Sequence, residues 1–206
     1  MTQALFIIFA GYYTFVAMLY TGMILWRQRD GLSRVHPGQR FSSHWWNHMT
    51  FRLFRIVIWL TTITIAISPQ YSVYYGPFLR SEPPALIFTG IILMVAGLAL
   101  ALISNYTLAS QWRSGVDSDA PAALVQTGLY RISRNPGYIG VAFGQCGFFI
   151  AYPSVFTLIC VLVGMTALYR QVLFEEAHLH QRFSNTFTQY MRNTPRFVSL
   201  PDWRNR

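Results

Sequence analysis

The chain has 206 residues, of which 53% are hydrophobic and only 11% charged, against roughly 25% charged in an average soluble domain. That balance excludes most water-soluble folds, and no low-complexity tract suggests an appended disordered region, so a single membrane domain is expected. The net charge is +9 and all sixteen basic residues are arginine. Their clustering between apolar runs selects a bilayer, not nucleic acid, as the partner.

Five apolar runs predict an all-α, multi-pass transmembrane protein, each run being measured against the ~20 residues a helix needs to cross the hydrocarbon. Residues 4–26 form the first. They exceed a signal-peptide core, follow no basic segment and meet Arg27 without a small-residue cleavage site, so a retained span is expected. Residues 51–67 form the second, entered through Arg52 and Arg55, whose long stems can snorkel to the headgroups. The third, 85–103, carries no charge. The fourth, 136–151, and the fifth, 154–169, are joined through Tyr152 and Pro153 as a helical hairpin, and 170–206 is expected as a cytoplasmic helical tail. Cys146 and Cys160 fall inside apolar runs and read as buried small hydrophobes.

With the N-terminus outside, fifteen arginines fall on the cytoplasmic side and only Arg80 outside, so the positive-inside rule accounts for the charge. Tyr71, Tyr74 and Tyr75 then form an aromatic belt at the outer interface. Gly137, Gly140, Gly144, Gly147 and Ala151 recur at intervals of three and four on one face of the fourth span. Such a stripe permits packing against a neighbouring span or close approach of a cofactor at the Gly137–Gly140 end.

The polar residues that topology leaves over concentrate in the last third. Asn135 before Pro136 fits a helix start, with asparagine as N-cap and proline at the first position. With Arg131 and Arg134 beside it, this is either an anion site or an ordinary capped helix. Glu175 and Glu176 lie just past the expected end of the fifth span, where the macrodipole disfavours negative charge. Neighbouring helical residues point ~100° apart, so one carboxylate can face a site while the other pairs with an arginine such as Arg170 or Arg182. His44 and His48, flanking Trp45 and Trp46, read as an interfacial anchor in preference to a metal site, and no metal is expected.

The run Leu124-Val125-x-x-Gly128-x-Tyr130-Arg131-x-x-Arg134-Asn135-Pro136-x-Tyr138-x-Gly140, followed by Glu175-Glu176-x-x-Leu179-x-x-x-Phe183, Tyr190 and Pro195-Arg196-Phe197, resembles a known group. It is similar to the integral-membrane methyltransferases of the isoprenylcysteine carboxyl methyltransferase and phospholipid methyltransferase group. The resemblance covers about the C-terminal two-fifths of the chain. It implies S-adenosylmethionine-dependent methyl transfer to a lipophilic acceptor at the cytoplasmic face: an isoprenylcysteine carboxylate, a phospholipid amine or another hydrophobic molecule. On this basis residues 1–103 are three N-terminal spans and 104–206 the catalytic half of one domain.

The residues the resemblance places at the cofactor are Leu124, Val125, Gly128, Tyr130, Arg134, Asn135, Pro136, Tyr138, Gly140, Glu175 and Glu176, with Arg170 and Glu175 as the candidate catalytic pair. The arginines at the helix start suit the cofactor's carboxylate, a glutamate its ammonium or ribose, and a tyrosine ring its sulfonium. The chain departs from the pattern in carrying Asn135 for a histidine, and Ser184 and Phe187 for a glycine and a tyrosine. Asparagine cannot titrate near neutral pH, so acid–base chemistry at that position is in question. The acceptor is expected to enter sideways from the bilayer, through a groove near Trp112 or near Trp45 and Trp46.

Two other functions compete. Membrane sterol or enone reductases using NADPH share an Arg-x-Pro-x-Tyr-x-Gly pattern, but an acidic residue commonly follows their glycine, where this chain has Val141. A transporter or scaffold is the second, and transporters usually carry ionisable groups at mid-membrane, which these spans lack.

Overall fold

The structure is a computed structural model and describes residues 2–28, 35–36, 38–79, 83–108, 114–115 and 123–198. Arg80 and Trp112, singled out from the sequence, lie outside the described residues. Five helices make up the described fold: α1 (Thr2–Arg27), α2 (Ser43–Ile67), α3 (Pro84–Leu108), α4 (Pro136–Ala151) and α5 (Val155–Asn193). Short 3-10 turns follow α2, at Pro69–Tyr75, and precede α4, at Gly128–Arg131. Among the described residues, extended pairing is confined to a two-residue parallel contact of Val35–His36 with Ser114–Gly115 and a single bridge between Pro77 and Ser154.

Helices α1, α2, α3 and α5 are long and apolar enough to cross a membrane, and the protein is an integral membrane protein. Helix α4 has 16 residues, so at 1.5 Å per residue it is about 24 Å long, short of the ~30 Å of hydrocarbon. Apolar runs mark the buried part of a helix and not its ends. Thus α2 starts eight residues before the expected 51, where Ser42 Oγ accepts the Trp45 N–H at 3.1 Å, and α3 runs past 103 to Leu108. Helix α5 does not stop at 169. Its 39 residues are broken by non-helical backbone at Ser184; the part before the break alone extends about 43 Å, so the distal half lies beyond a single ~30 Å crossing and forms most of the expected tail.

The tightest pairing joins α3 to α4, antiparallel. A Cβ on Gly140 would collide with the carbonyl of Gly97 and come within 2.7 Å of the Ala101 nitrogen. One on Gly147 would lie 2.5 Å from the Gly90 carbonyl and 2.8 Å from the Met94 nitrogen. Two glycine pairs seven residues apart therefore set backbone against backbone, which is how helices without hydrophobic drive between them gain dispersion energy in lipid. The stripe on α4 is explained by this contact over most of its length. The sequence reading missed its partners, Gly90 and Gly97.

The α4–α5 hairpin turns through Tyr152 and Pro153. Ser154 caps α5, its Oγ accepting the Thr157 N–H at 3.2 Å while Thr157 Oγ1 accepts the Ser154 N–H at 3.1 Å, the reciprocal bonding of a capping box. The segment after α2 clamps this turn, with Phe78 N donating to Pro153 O and Val155 N to Gly76 O, both at 2.9 Å. The close-packed core lies at this same end. Phe6 meets Tyr152 edge-on at 5.3 Å, Phe9 meets Phe148 at 5.0 Å, and Met94, Ile65 and buried Cys160 fill the space around them. Cys146 is half-buried and both thiols are free. Rigid packing at one end leaves the other free to open.

Candidate active site

A cavity of about 450 Å³ begins where this core ends, within the 300–1,000 Å³ range of small-molecule sites. Each helix lends it one face. Tyr13, Val16, Ala17 and Tyr20 of α1, His48, Arg52, Arg55 and Trp59 of α2, and Gly97, Ala101, Asn105 and Leu108 of α3 all line it at the three-and-four spacing of a helical stripe. Gly137, Tyr138, Gly140 and Gly144 of α4 and Gln171 and Glu175 of α5 close the far side, with Leu124, Val125 and Tyr130 from the segment before α4. The wall is mostly apolar along α1, is interrupted along α2 by His48, Arg52 and Arg55, and is polar toward α5.

The two adjacent glutamates have different surroundings. Glu175 lines the cavity, and its Oε1 accepts the Tyr138 hydroxyl at 2.5 Å and the Gln171 amide at 3.1 Å. Both bonds fall on one oxygen, so Oε2 keeps its acceptor capacity. Gln171 is itself placed by Asn47 of α2, whose Nδ2 donates to Gln171 Oε1 at 3.2 Å and to the Ala167 carbonyl at 3.0 Å.

Glu176 is the hub of a buried network. It accepts Arg134 Nε at 3.1 Å, Asn135 Nδ2 at 3.0 Å and Arg196 Nε at 2.9 Å. Arg134 Nη2 also donates to Glu176 Oε2 at 3.3 Å, and Nη1 donates to the carbonyls of Thr194, at 2.7 Å, and Met191, at 3.2 Å. Asn135 uses its second amide hydrogen on the Arg196 carbonyl at 3.1 Å, and Pro195 O accepts Arg134 N at 2.9 Å. One carboxylate thereby ties the start of α4, the middle of α5 and the returning tail into one unit. The bond to Glu176 holds the Arg196 guanidinium even more firmly protonated than usual. Burial, followed by the nearby charge of Glu175, pushes the Tyr130 phenol well above its ordinary range.

Several expectations change in this geometry. Asn135 occupies the N-cap position with Pro136 at the first turn, but its side chain makes no capping bond; its Nδ2 donates instead to Glu176 and to the Arg196 carbonyl. Arg134 is committed to Glu176 and two carbonyls and is not free to hold an anion. The partners of Glu176 are Arg134 and Arg196, not Arg170 or Arg182. Arg170 is exposed and does not line the cavity: five residues from Glu175, it points about 140° away around the helix. Leu124, Val125, Tyr130, Arg134, Asn135, Tyr138, Gly140, Glu175 and Glu176 line the cavity, whereas Gly128 and Pro136 do not. Trp45 and Trp46 stack edge-on at 4.8 Å away from it.

Sequence reasoning missed Gln171 and the contribution of α1 and α2. The signal was present as the Tyr13, Val16, Ala17, Tyr20 stripe and as Asn105, a polar residue in the most apolar run. Arg52 and Arg55, expected to reach out to headgroups, instead line the cavity.

Membrane-crossing helices around a cavity of mixed apolar and polar lining define a polytopic membrane protein with an internal cavity. Residues 85–186, from the start of α3 to the distal part of α5, match the model of the phospholipid methyltransferase family. The family is one of membrane methyltransferases, and the match gives the reductase alternative no support. Comparison with curated proteins and with solved structures gave no match.

Proposed function

We propose that the protein transfers a methyl group from S-adenosylmethionine to a lipophilic acceptor at the cytoplasmic membrane face. The observation that carries this is the cavity, which joins a carboxylate-bearing polar end at α5 to a largely apolar wall along α1 and the Ile58 and Trp59 part of α2. The donor set fits the cofactor. Glu175 Oε2 suits an ammonium or ribose hydroxyl, the Tyr130 and Tyr138 rings suit a cation, and the first-turn N–H groups of α4 at Gly137 suit a carboxylate. When bound, S-adenosylmethionine supplies an electrophilic methyl group on a sulfonium.

Positioning is what the chain contributes to such a displacement. Gln171 and Tyr138 orient Glu175, while Arg134, Asn135 and Arg196 act through Glu176 to fix the wall on which Glu175 sits. Asn135, with both amide hydrogens spent on this network, holds the wall and moves no proton. A carboxylate or thiolate acceptor needs no base; an amine must shed a proton, and Glu175 is the carboxylate in the cavity free of an ion pair.

The arginine asymmetry supports an N-terminus outside and an active site facing the cytoplasm, with α4 completing five crossings beside α3. A cysteine placed at Asn193 should then react with an impermeant reagent only after the membrane is opened. The functional test is calorimetric titration of the detergent-solubilised protein with S-adenosylhomocysteine and with NADPH. Binding of the former alone is expected; binding of NADPH alone would overturn the proposal.

A further inference from the structure

Arg52 and Arg55 lie on α2, outside the segment that matches the family, and both line the cavity. The described residues include two carboxylates, Glu175 and Glu176. The first is held by Tyr138 and Gln171, the second by Arg134, Asn135 and Arg196. Among the described residues, then, no carboxylate is paired with either α2 arginine. The Arg55 guanidinium lies over the Tyr20 ring at 5.4 Å from its centroid, and the Tyr20 hydroxyl accepts Asn105 Nδ2 at 3.3 Å, so α1 and α3 together aim the fork.

Among the described residues the two guanidiniums have no ion-pair partner, and both are exposed where they line the cavity, so an entering anion can pair with them. A guanidinium presents paired N–H groups that match the two oxygens of a phosphate or carboxylate. The same wall carries Val16, Ala17, Ile58 and Trp59, which suit a hydrocarbon chain. We propose that Arg52 and Arg55 form a subsite for the oxyanion of an amphiphilic ligand whose chain lies along α1 and α2. Resting on the methyl-transfer function above, the subsite belongs to the acceptor side of the cavity, opposite Glu175.

The test uses the full-length protein in a neutral detergent, titrated with n-dodecyl phosphate, with uncharged n-dodecanol and with inorganic phosphate, and separately with S-adenosylhomocysteine. Wild type should bind dodecyl phosphate at least about tenfold more tightly than dodecanol, the equivalent of a charge-assisted hydrogen bond, and inorganic phosphate at equal concentration should not displace it. Arg55→Gln and Arg52→Gln should each erode this preference, Arg55→Lys, which keeps the charge but not the fork, should retain only part of it, and all should keep wild-type affinity for S-adenosylhomocysteine. An unchanged phosphate preference in a monodisperse Arg52→Gln/Arg55→Gln protein would overturn the subsite. So would a loss of S-adenosylhomocysteine affinity with dodecyl phosphate binding intact, which would assign the arginines to the methyl donor, and so would equal competition by inorganic phosphate. Failure of wild type to bind S-adenosylhomocysteine at all, with the phosphate preference preserved, would count against the methyltransferase function and not against the anion site.

Discussion

Replacing each of the adjacent glutamates by glutamine should damage the protein in different ways. Glu176 and Arg134 have side chains only 8% and 9% exposed, and stripping one partner from a buried pair costs about 3–5 kcal/mol because the other charge is left uncompensated. Arg134 keeps its bonds to Thr194 and Met191, which favours the lower end. Arg196, 36% exposed, adds at most about 1 kcal/mol after solvent screening. A net loss of about 3 kcal/mol corresponds to a fall in Tm of roughly 6–12 °C for a chain of this size. Glu175→Gln keeps an oxygen for Tyr138 and should melt near wild type, but S-adenosylhomocysteine affinity should drop about 10- to 100-fold with the lost charge-assisted bond. Tryptophan-fluorescence melts in detergent, together with cofactor titrations, read both quantities. If Glu176→Gln melted within 2 °C of wild type while Glu175→Gln collapsed, the division between a structural and a ligand-facing carboxylate would be refuted.

Gly140→Leu should lower Tm by several degrees, since overpacking costs about 1–3 kcal/mol and the obstructing atoms are backbone of α3; Gly144→Ala, whose Cβ would meet only the Tyr12 hydroxyl at 3.6 Å, should melt like wild type. Ser184 sits at φ 37°, ψ −105° inside α5, and left-handed backbone costs a non-glycine residue about 1–2 kcal/mol, so Ser184→Gly should raise Tm; an unchanged melt would show that the break is unstrained. Turnover in bilayers should rise about fourfold per added acceptor methylene, the partition gain of ~0.8 kcal/mol each, until the membrane is saturated. Equal efficiency with short water-soluble acceptors would refute entry from the lipid.

Helix existence was legible from the sequence because apolar length is a long-range signal that tertiary contacts rarely override. The boundaries were not, and one error had consequences. Glu175 and Glu176 stood out as negative charges at a helix C-terminus, in breach of the macrodipole rule. Helical residues continue past the glutamates to the break at Ser184 and beyond it to Asn193, so the glutamates lie about two turns inside the helix and not at its end. They matter because Glu176 is buried and Glu175 lines the cavity. Neither condition can be read from one helix alone. Likewise, the motif around Arg134 and Tyr138 pointed to the correct end of the fold, but only the returning tail reveals that Arg134 is spent on Glu176. The α1 and α2 walls stayed hidden because an apolar stripe facing a cavity has the same period as one facing a neighbour or lipid.

The departures from the family pattern, Ser184 and Phe187 in distal α5 and Asn135 at the start of α4, are mutually consistent. Where the resemblance expects a glycine, Ser184 still takes the backbone conformation that glycine adopts freely, so the turn survives at the expense of strain. Phe187, in place of a tyrosine, is buried with its ring edge 6.2 Å from Tyr190, and needs no partner for a hydroxyl. Tyr190 then supplies the polar tie, donating to the Tyr130 carbonyl at 2.6 Å. Asn135 completes the arrangement: a neutral imidazole offers one N–H, whereas the amide offers two, and both are used, on Glu176 and on the Arg196 carbonyl. Geometry is thus kept by a group that has no proton to give near neutral pH. A proton leaving an acceptor in this cavity would therefore go to Glu175, to His48 or His178, which also line it, or to water.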